Sequence, residues 1–149
     1  MKPGLLQSTA QDRDNTVRWP VPIGTAASLS GISPKMLRHY ESLGLLGRVA
    51  RTGSNYRQYS LTDVHTLRFI RRARDLGFGL DAITELLGLW QNRRRSSASV
   101  KKVAQHHLDE LDRRIEQMQS MRRSLQALLC ACPGDDRPDC PILDDLAHP

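Results

Sequence analysis

The spacing of hydrophobic and polar positions predicts two short helices, the first of which begins at Ile23. Ile23 to Leu29 predicts the first helix, and Gly31-Ile32 predicts a turn. Ser33 then offers an N-cap and Pro34 a first helical residue for a second helix that runs to Leu43. The apolar positions of this pair can share one small core, as in a helix–turn–helix. They are Ile23, Ala27, Ile32, Leu37 and Leu45.

The next pattern is typical of a hairpin. Val49 and residues 56–59 flank a cluster of turn-forming residues at 51–55. A hairpin beside a helix–turn–helix is a wing. A third helix is predicted from Thr62 to Leu76, ending at Gly77, and a fourth from Asp81 to about Trp90.

A heptad pattern predicts one long helix from Ala98 to Leu129. At 1.5 Å per residue this helix is roughly 48 Å long, too long to bury its apolar face against so small a domain. The face therefore requires another helix, most simply that of a second identical subunit. Arg122 interrupts the stripe. The predicted dimer-interface residues are Leu108, Leu111, Ile115, Met118 and Leu125.

Charge is distributed unevenly over the 149 residues. The net charge is +6, but the segment from Cys132 onward holds five aspartates and one arginine, net −4, which leaves +10 on the first 131 residues. A basic body of this kind indicates a polyanionic partner, with nucleic acid favoured over a membrane. The N-terminus resembles no signal peptide, and no apolar run reaches the ~18 residues that span a bilayer. We therefore expect a cytoplasmic protein with reduced thiols.

Two cysteines flank a short loop near the C-terminus. Cys132 and Cys140 enclose seven residues that include Pro133 and Pro138, so the loop loses little entropy when it closes. Two thiolates are too few for a tetrahedral zinc site but suit a soft monovalent ion such as Cu(I). A disulfide or a structural zinc ion is the alternative. Cys130 is interpreted as a peripheral thiol, with a third-ligand role left open.

These patterns divide the chain into five predicted segments of a mainly α fold. Residues 1–20 form a flexible extension, and residues 21–90 form a winged helix–turn–helix DNA-binding domain. Residues 91–97 form a connector and residues 98–129 the dimerisation helix. Residues 130–149 form a metal-binding loop and a short helix that begins beside Cys140, with His148 near its end as a weak auxiliary donor.

The order of motifs resembles the MerR family of transcription regulators, and within it the CueR-type copper-efflux regulators. The resemblance covers about residues 22–146. It rests on residues 23–45, the sequence Asn-Tyr-Arg-Gln-Tyr at 55–59, residues 71–78, Met121-Arg122, and Ala131-Cys-Pro-Gly-Asp-Asp with Asp139-Cys-Pro-Ile.

The resemblance implies a homodimer with an antiparallel coiled coil and a winged helix–turn–helix at each end. Such dimers bind double-stranded promoter DNA and, when metal binds, distort an overlong spacer so that RNA polymerase engages both promoter elements. The resemblance also implies that the start of the partner subunit's long helix, near Ser97, faces the metal site. Divalent-metal members place an additional thiolate at that position, so Ser97 favours one Cu(I), Ag(I) or Au(I) per subunit over Zn(II) and Hg(II). The alternative is that Ser97 is a helix cap, a role that is compatible with the metal site.

Basic and polar residues on the second helix and the wing are the predicted DNA contacts. Lys35 and Arg38 lie one turn apart and can both reach a major groove. Arg51, Asn55, Tyr56 and Arg57 on the hairpin suit phosphate contacts. By resemblance, Tyr40, Arg71 and Arg74 add backbone contacts. For any single residue the alternative is a solvated basic face, or for Tyr40 and Tyr59 a place in the core.

Other functions fit the sequence less well. An iron–sulfur sensor needs four cysteines, and the chain has three. No nucleophile–base set or phosphate-binding loop is evident, so we do not expect an enzyme. The main alternative is a DNA-binding architectural protein of the same fold, zinc-braced or redox-sensing.

Overall fold

A computed structural model describes residues 17–92 and 94–148. Most of the predicted N-terminal extension, residues 1–16, lies outside the described residues. The chain divides into two compact units, with the boundary in the sequence between Ser96 and Ser97. Each unit is described separately.

The first unit holds three short strands and four helices in the order β1, α1, α2, β2, β3, α3, α4. The strands are β1 (Val21–Pro22), β2 (Ala50–Arg51) and β3 (Arg57–Tyr59). The helices are α1 (Ile23–Ser30), α2 (Pro34–Ser42), α3 (Leu61–Asp75) and α4 (Leu80–Gln91). All four predicted helices are present, with ends within one or two residues of the predicted ones.

Local side-chain caps set the helix ends. Ser33 Oγ accepts the backbone N–H of Met36 at 3.3 Å, and Pro34 follows as the first helical residue of α2. Ser60 and Asp63 form a reciprocal capping box, which starts α3 at Leu61, one residue earlier than predicted.

The sheet has the strand order β1-β3-β2, and both pairings are antiparallel. In the wing, Ala50 pairs with Gln58 and Arg51 with Arg57. Val21 of β1 pairs with Tyr59 on the other edge of β3. β1 was not predicted from the sequence, because two residues that end in a proline carry no detectable strand period.

One hydrophobic core joins these elements. Leu37 of α2, Tyr59 of β3, Leu67 and Ile70 of α3, and Ile83 of α4 are completely buried. The five residues that were predicted to share a small core all belong to it or pack against it. The helix–turn–helix and the wing therefore share one hydrophobic core with α3 and α4.

The second unit consists of two helices. The long helix α5 (Ser97–Ala131) has 35 residues, slightly more than predicted, and α6 (Pro141–Ala147) packs against it. Among the described residues, no helix is both long enough and apolar enough to cross a membrane.

Candidate nucleic-acid interface and metal site

Helix α2 turns an apolar face inward and a basic face outward. Leu37 is completely buried, whereas Lys35 and Arg38 are exposed. Because Lys35 and Arg38 are three residues apart, they lie on neighbouring turns of the same side. The structure thus leaves both predicted base-reading side chains accessible.

Tyr40 has a different environment from Lys35 and Arg38. Its side chain belongs to the hydrophobic core and is only 6% exposed. The core position, which was the alternative interpretation from the sequence, is therefore the one observed. A DNA contact by Tyr40 stays a prediction.

Hydrogen bonds inside the wing turn hold its tip in one conformation. Thr52 N–H donates to Tyr56 O at 2.8 Å, and Asn55 N–H donates to Thr52 O at 2.9 Å. Asn55 has a φ of +65°, a left-handed conformation that asparagine tolerates better than most residues. Arg51 Nη1 donates to both the backbone and the side-chain oxygen of Asn55 at 3.3 Å. The Tyr56 side chain remains exposed at the tip.

Glu41, near the end of α2, connects that helix to the wing. This role of Glu41 was not predicted from the sequence. Arg57 Nε donates to Glu41 Oε2 at 2.6 Å, and Arg51 Nη2 lies 4.0 Å from Glu41 Oε1. The contact spans sixteen positions in the chain, so no local pattern announces it. The available signal was that Glu41 is the only acidic residue between Lys35 and Arg57.

Arg71 and Arg74 make structural contacts that the sequence analysis did not predict. Arg71 Nη1 donates to Gly31 O at 3.0 Å, which caps the C-terminal end of α1. Arg68, which was also missed, donates from Nε to Leu29 O at 3.1 Å. Arg74 Nη1 donates to Phe78 O at 3.2 Å after the end of α3. DNA contacts by Arg71 and Arg74 remain predictions.

Tyr59 belongs to the core, and the charges of Glu41 and Arg57 both act on its hydroxyl. Its hydroxyl is buried and has no hydrogen-bond partner among the described residues. Burial raises the pKa of Tyr59 above its ordinary value of 10.0, and the negative charge of Glu41 raises it further. The phenol is therefore neutral at physiological pH.

The cysteine loop begins where α5 ends. The backbone N–H of Cys132 still donates to Leu128 O at 3.1 Å, and Gly134 then takes a left-handed φ of +65°, which turns the chain away from the helix. Cys140 immediately precedes α6. Cys132 and Cys140 are half-buried, whereas Cys130 is exposed on α5.

An ion pair lies within the loop itself. Arg137 Nε and Nη2 contact Asp135 Oδ2 at 2.7 and 2.6 Å. The side-chain hydrogen bond from Arg137 holds the pKa of Asp135 below its usual 3.8. Because its pKa is lowered, Asp135 is ionised and paired with Arg137 at neutral pH. The ion pair is lost only when the pH falls through the pKa of Asp135.

The cysteine loop carries two half-buried thiols, those of Cys132 and Cys140. Within the described residues, no three His, Cys, Asp or Glu side chains cluster in a way that would hold a metal ion. Ser97 is the first residue of α5 rather than the residue before it, and it is exposed. His148 follows α6 and is also exposed.

The apolar stripe of α5 is largely uncovered. Leu108, Ile115, Met118 and Leu125 are each 47–59% exposed, and Leu111 is half-buried. Exposing a row of large apolar side chains to water is unfavourable. The stripe is therefore suited to packing against another helix.

Comparison with known protein families gives two overlapping matches. A model described as MerR HTH family regulatory protein matches residues 21–89, and one described as MerR, DNA binding matches residues 64–128. Together they cover both the winged unit and most of α5.

Individual relatives extend over most of the chain. Heavy metal-dependent transcription regulator 2 of Rhizobium meliloti is 54% identical over 85% of this chain and 86% of its own length. The regulator CueR of Escherichia coli O157:H7 is 40% identical over 84% of this chain and 93% of its own. The crystal structure of the transcription regulator PbrR691 from Ralstonia metallidurans, in complex with lead(II), is 28% identical. It superposes with a TM-score of 0.76 over 85% of this chain and 98% of that one.

Proposed function

Because the chain belongs to the MerR family of helix–turn–helix regulatory proteins, we propose that it is a Cu(I)-responsive transcription activator. It binds promoter DNA as a homodimer and takes up one Cu(I), or Ag(I) or Au(I), per subunit. Metal binding activates the transcription of metal-efflux genes. The names of two relatives, heavy metal-dependent regulator and CueR, support a role in metal response.

The cysteine loop is the observation on which the proposal depends. Cys132 and Cys140 are both half-buried, one at each end of a loop braced by Gly134 and by the Asp135–Arg137 pair. Half-buried thiols remain reachable by a metal ion but are partly shielded from water. Soft thiolates prefer soft ions such as Cu(I).

Net charge explains the preference for a monovalent ion. Two thiolates around a +1 ion leave −1, and two thiolates around a +2 ion leave a neutral site that still lacks two ligands for tetrahedral coordination. Ser97 in the first turn of the second subunit's α5 supplies no third thiolate. Its helix start instead offers backbone N–H groups that favour a residual negative charge.

The DNA-binding part of the proposal depends on the winged unit. Lys35 and Arg38 read base edges in the major groove, while Arg51, Asn55, Tyr56 and Arg57 hold the phosphates on either side. Two such units, joined through the apolar stripes of two α5 helices, contact two half-sites of one promoter.

Activation follows from a change in the DNA. The metal loop follows α5 directly in the chain, so closing it around a metal ion changes how the dimer holds its two half-sites. The promoter spacer is then distorted so that RNA polymerase engages both promoter elements. Energy for the distortion comes from tighter binding of the metal to the dimer conformation that holds the DNA distorted.

Cysteine variants test the proposal. In anaerobic transcription from a promoter that the wild-type protein activates, Cys132→Ser and Cys140→Ser are expected to abolish the Cu(I) response while promoter binding persists. Cys130→Ser is the matched control, because it removes an exposed thiol two positions away, and it should respond as the wild type does. Full Cu(I) activation by Cys132→Ser would contradict the proposal.

A further inference from the structure

Glu41 is an acidic residue in the middle of a surface that otherwise attracts DNA. From Lys35 to Arg57, with both ends included, the chain has five lysine or arginine residues and only this one carboxylate. Phosphates repel a carboxylate, so Glu41 lowers the general affinity of this surface for any duplex. Glu41 is therefore expected to have another role at this surface that offsets the weaker attraction of DNA.

The contacts of Glu41 suggest what that role is. Oε2 accepts the hydrogen bond from Arg57 Nε at 2.6 Å, and Oε1 lies 4.0 Å from Arg51 Nη2. Arg51 belongs to β2 and Arg57 to β3, whereas Glu41 belongs to α2. One carboxylate thus links the helix that carries Lys35 and Arg38 to both strands of the wing.

The Glu41–Arg57 pair is partly withdrawn from solvent. The Glu41 side chain is 20% exposed and the Arg57 side chain 31%. Water and salt screen such a pair less than a fully exposed one. Tyr59, two positions after Arg57 on the same face of β3, is completely buried and anchors this face to the core.

The hydrogen bond uses only one edge of the guanidinium group. A guanidinium has five N–H donors in a rigid plane, and the Nε–H points to Glu41. Fixing this donor fixes the plane of the whole group. Among the described residues the two Nη groups form no hydrogen bond or ion pair, so a phosphate can bind them.

We propose that Glu41 is a positioning residue for operator recognition, which orients Arg57 and restrains Arg51 so that the wing meets the operator phosphates in one register. Register matters because phosphate contacts determine which base edges Lys35 and Arg38 reach. Glu41 thereby weakens binding to arbitrary DNA and strengthens discrimination. The inference rests on the DNA-binding part of the proposed function.

Two simpler roles for Glu41 lead to different results. If Glu41 only repelled DNA, neutralising it would tighten binding to every duplex by the same factor. If it only braced the fold, neutralising it would weaken binding to every duplex in proportion. A positioning role instead affects the operator and an arbitrary duplex differently.

The test uses the full-length protein and two duplexes of equal length. One duplex is obtained by in vitro selection with the wild-type protein, and the other has the same base composition in shuffled order. For Glu41→Gln, affinity for the selected duplex is expected to fall about tenfold, the scale of a partly screened charge-assisted hydrogen bond. Affinity for the shuffled duplex should stay unchanged or rise, since one negative charge has been removed.

A matched control isolates the effect of charge alone. Glu85→Gln removes the same charge from an exposed position on α4 and should leave the ratio of the two affinities unchanged. Arg57→Lys keeps the positive charge but loses the Nε donor, so it should reduce the ratio as Glu41→Gln does. In an Arg57→Lys background, Glu41→Gln should cause little further loss of discrimination.

Several results would overturn the inference. An equal gain on both duplexes would leave repulsion as the role of Glu41, and an equal loss on both would leave bracing of the fold. An unchanged ratio in both Glu41→Gln and Arg57→Lys would exclude positioning even if one variant folded poorly. If the wild type itself did not prefer the selected duplex, the DNA-binding proposal would fail as well.

Discussion

At the scale of single residues, the metal preference of the proposed site depends on a hydroxyl group. Ser97 begins α5 and supplies neither a third charge nor a third strong ligand. Ser97→Cys is therefore expected to let Zn(II) or Hg(II) activate transcription, because a third thiolate satisfies a divalent ion. Transcription assays with each metal measure the change.

A neighbouring serine provides the control for the Ser97 substitution. Ser99→Cys adds a thiol to the same exposed first turns of α5, but two positions on it points about 200° away. It should leave the metal preference as in the wild type. Identical behaviour of both cysteine variants, or no Zn(II) and Hg(II) response in Ser97→Cys, would remove Ser97 from the selectivity argument.

Tyr59 offers a prediction about stability. Its hydroxyl is buried without a hydrogen-bond partner among the described residues, and such a group costs free energy in the folded state. Tyr59→Phe should therefore leave the free energy of unfolding unchanged or raise it by about 1 kcal/mol. Urea denaturation measures this. A loss above ~1 kcal/mol would mean that the hydroxyl has a stabilising partner.

Residue positions were predictable from the sequence where the local pattern determines them. Lys35 and Arg38 were expected on an exposed helix face because Leu37 occupies the buried one. Glu41 and Arg68 were missed because their partners lie 16 and 39 positions away in the chain. Tyr40 was ambiguous because an amphipathic ring suits either the core or an interface.

At the scale of elements, the turn between α1 and α2 depends on one glycine. Gly31 has a φ of +69°, and a Cβ atom there would lie 1.4 Å from Arg71 Nη1. Gly31→Ala forces Arg71 away from its cap and places an L-residue in the left-handed region. It should lower the free energy of unfolding by at least about 1 kcal/mol, as measured by urea denaturation.

Gly24 is the matched control for Gly31. It lies inside α1, and nothing comes within 4 Å of the position its Cβ would occupy. Gly24→Ala should leave stability unchanged or raise it by up to ~1 kcal/mol, since alanine favours helices. Equal stability of Gly31→Ala and the wild type would contradict the role assigned to this turn.

Helices were easier to predict than strands in this chain. Ser33-Pro34 and the heptads of α5 are strong local signals, and the corresponding helices begin within one residue of the prediction. β1 has two residues and exists only through its pairing with β3, which no local pattern encodes. Our segment boundaries for the extension, connector and metal loop remain predictions.

At the scale of the whole molecule, the apolar stripe of α5 is expected to form the dimer. Ile115→Glu puts a charge in the middle of the stripe and should raise the dimer dissociation constant by at least about a hundredfold, because burying an unpaired carboxylate is costly. Sedimentation equilibrium measures the change.

An off-stripe substitution controls for the added charge. Ser120→Glu introduces the same carboxylate on the same helix, outside the heptad positions, and should leave the dimer intact. An unchanged dimer in Ile115→Glu, or equal loss in both variants, would mean that the subunits associate through another surface.

The most direct test compares two metals on the wild-type protein. Reduced protein is titrated anaerobically with Cu(I) and with Zn(II), each at a buffered free concentration, and promoter transcription is measured. Two half-buried thiols, which belong to no cluster of three or more His, Cys, Asp or Glu side chains in the part of the chain that the structure describes, predict activation by Cu(I) and no response to Zn(II) over the same range. Activation by Zn(II) at a comparable free concentration would contradict the account.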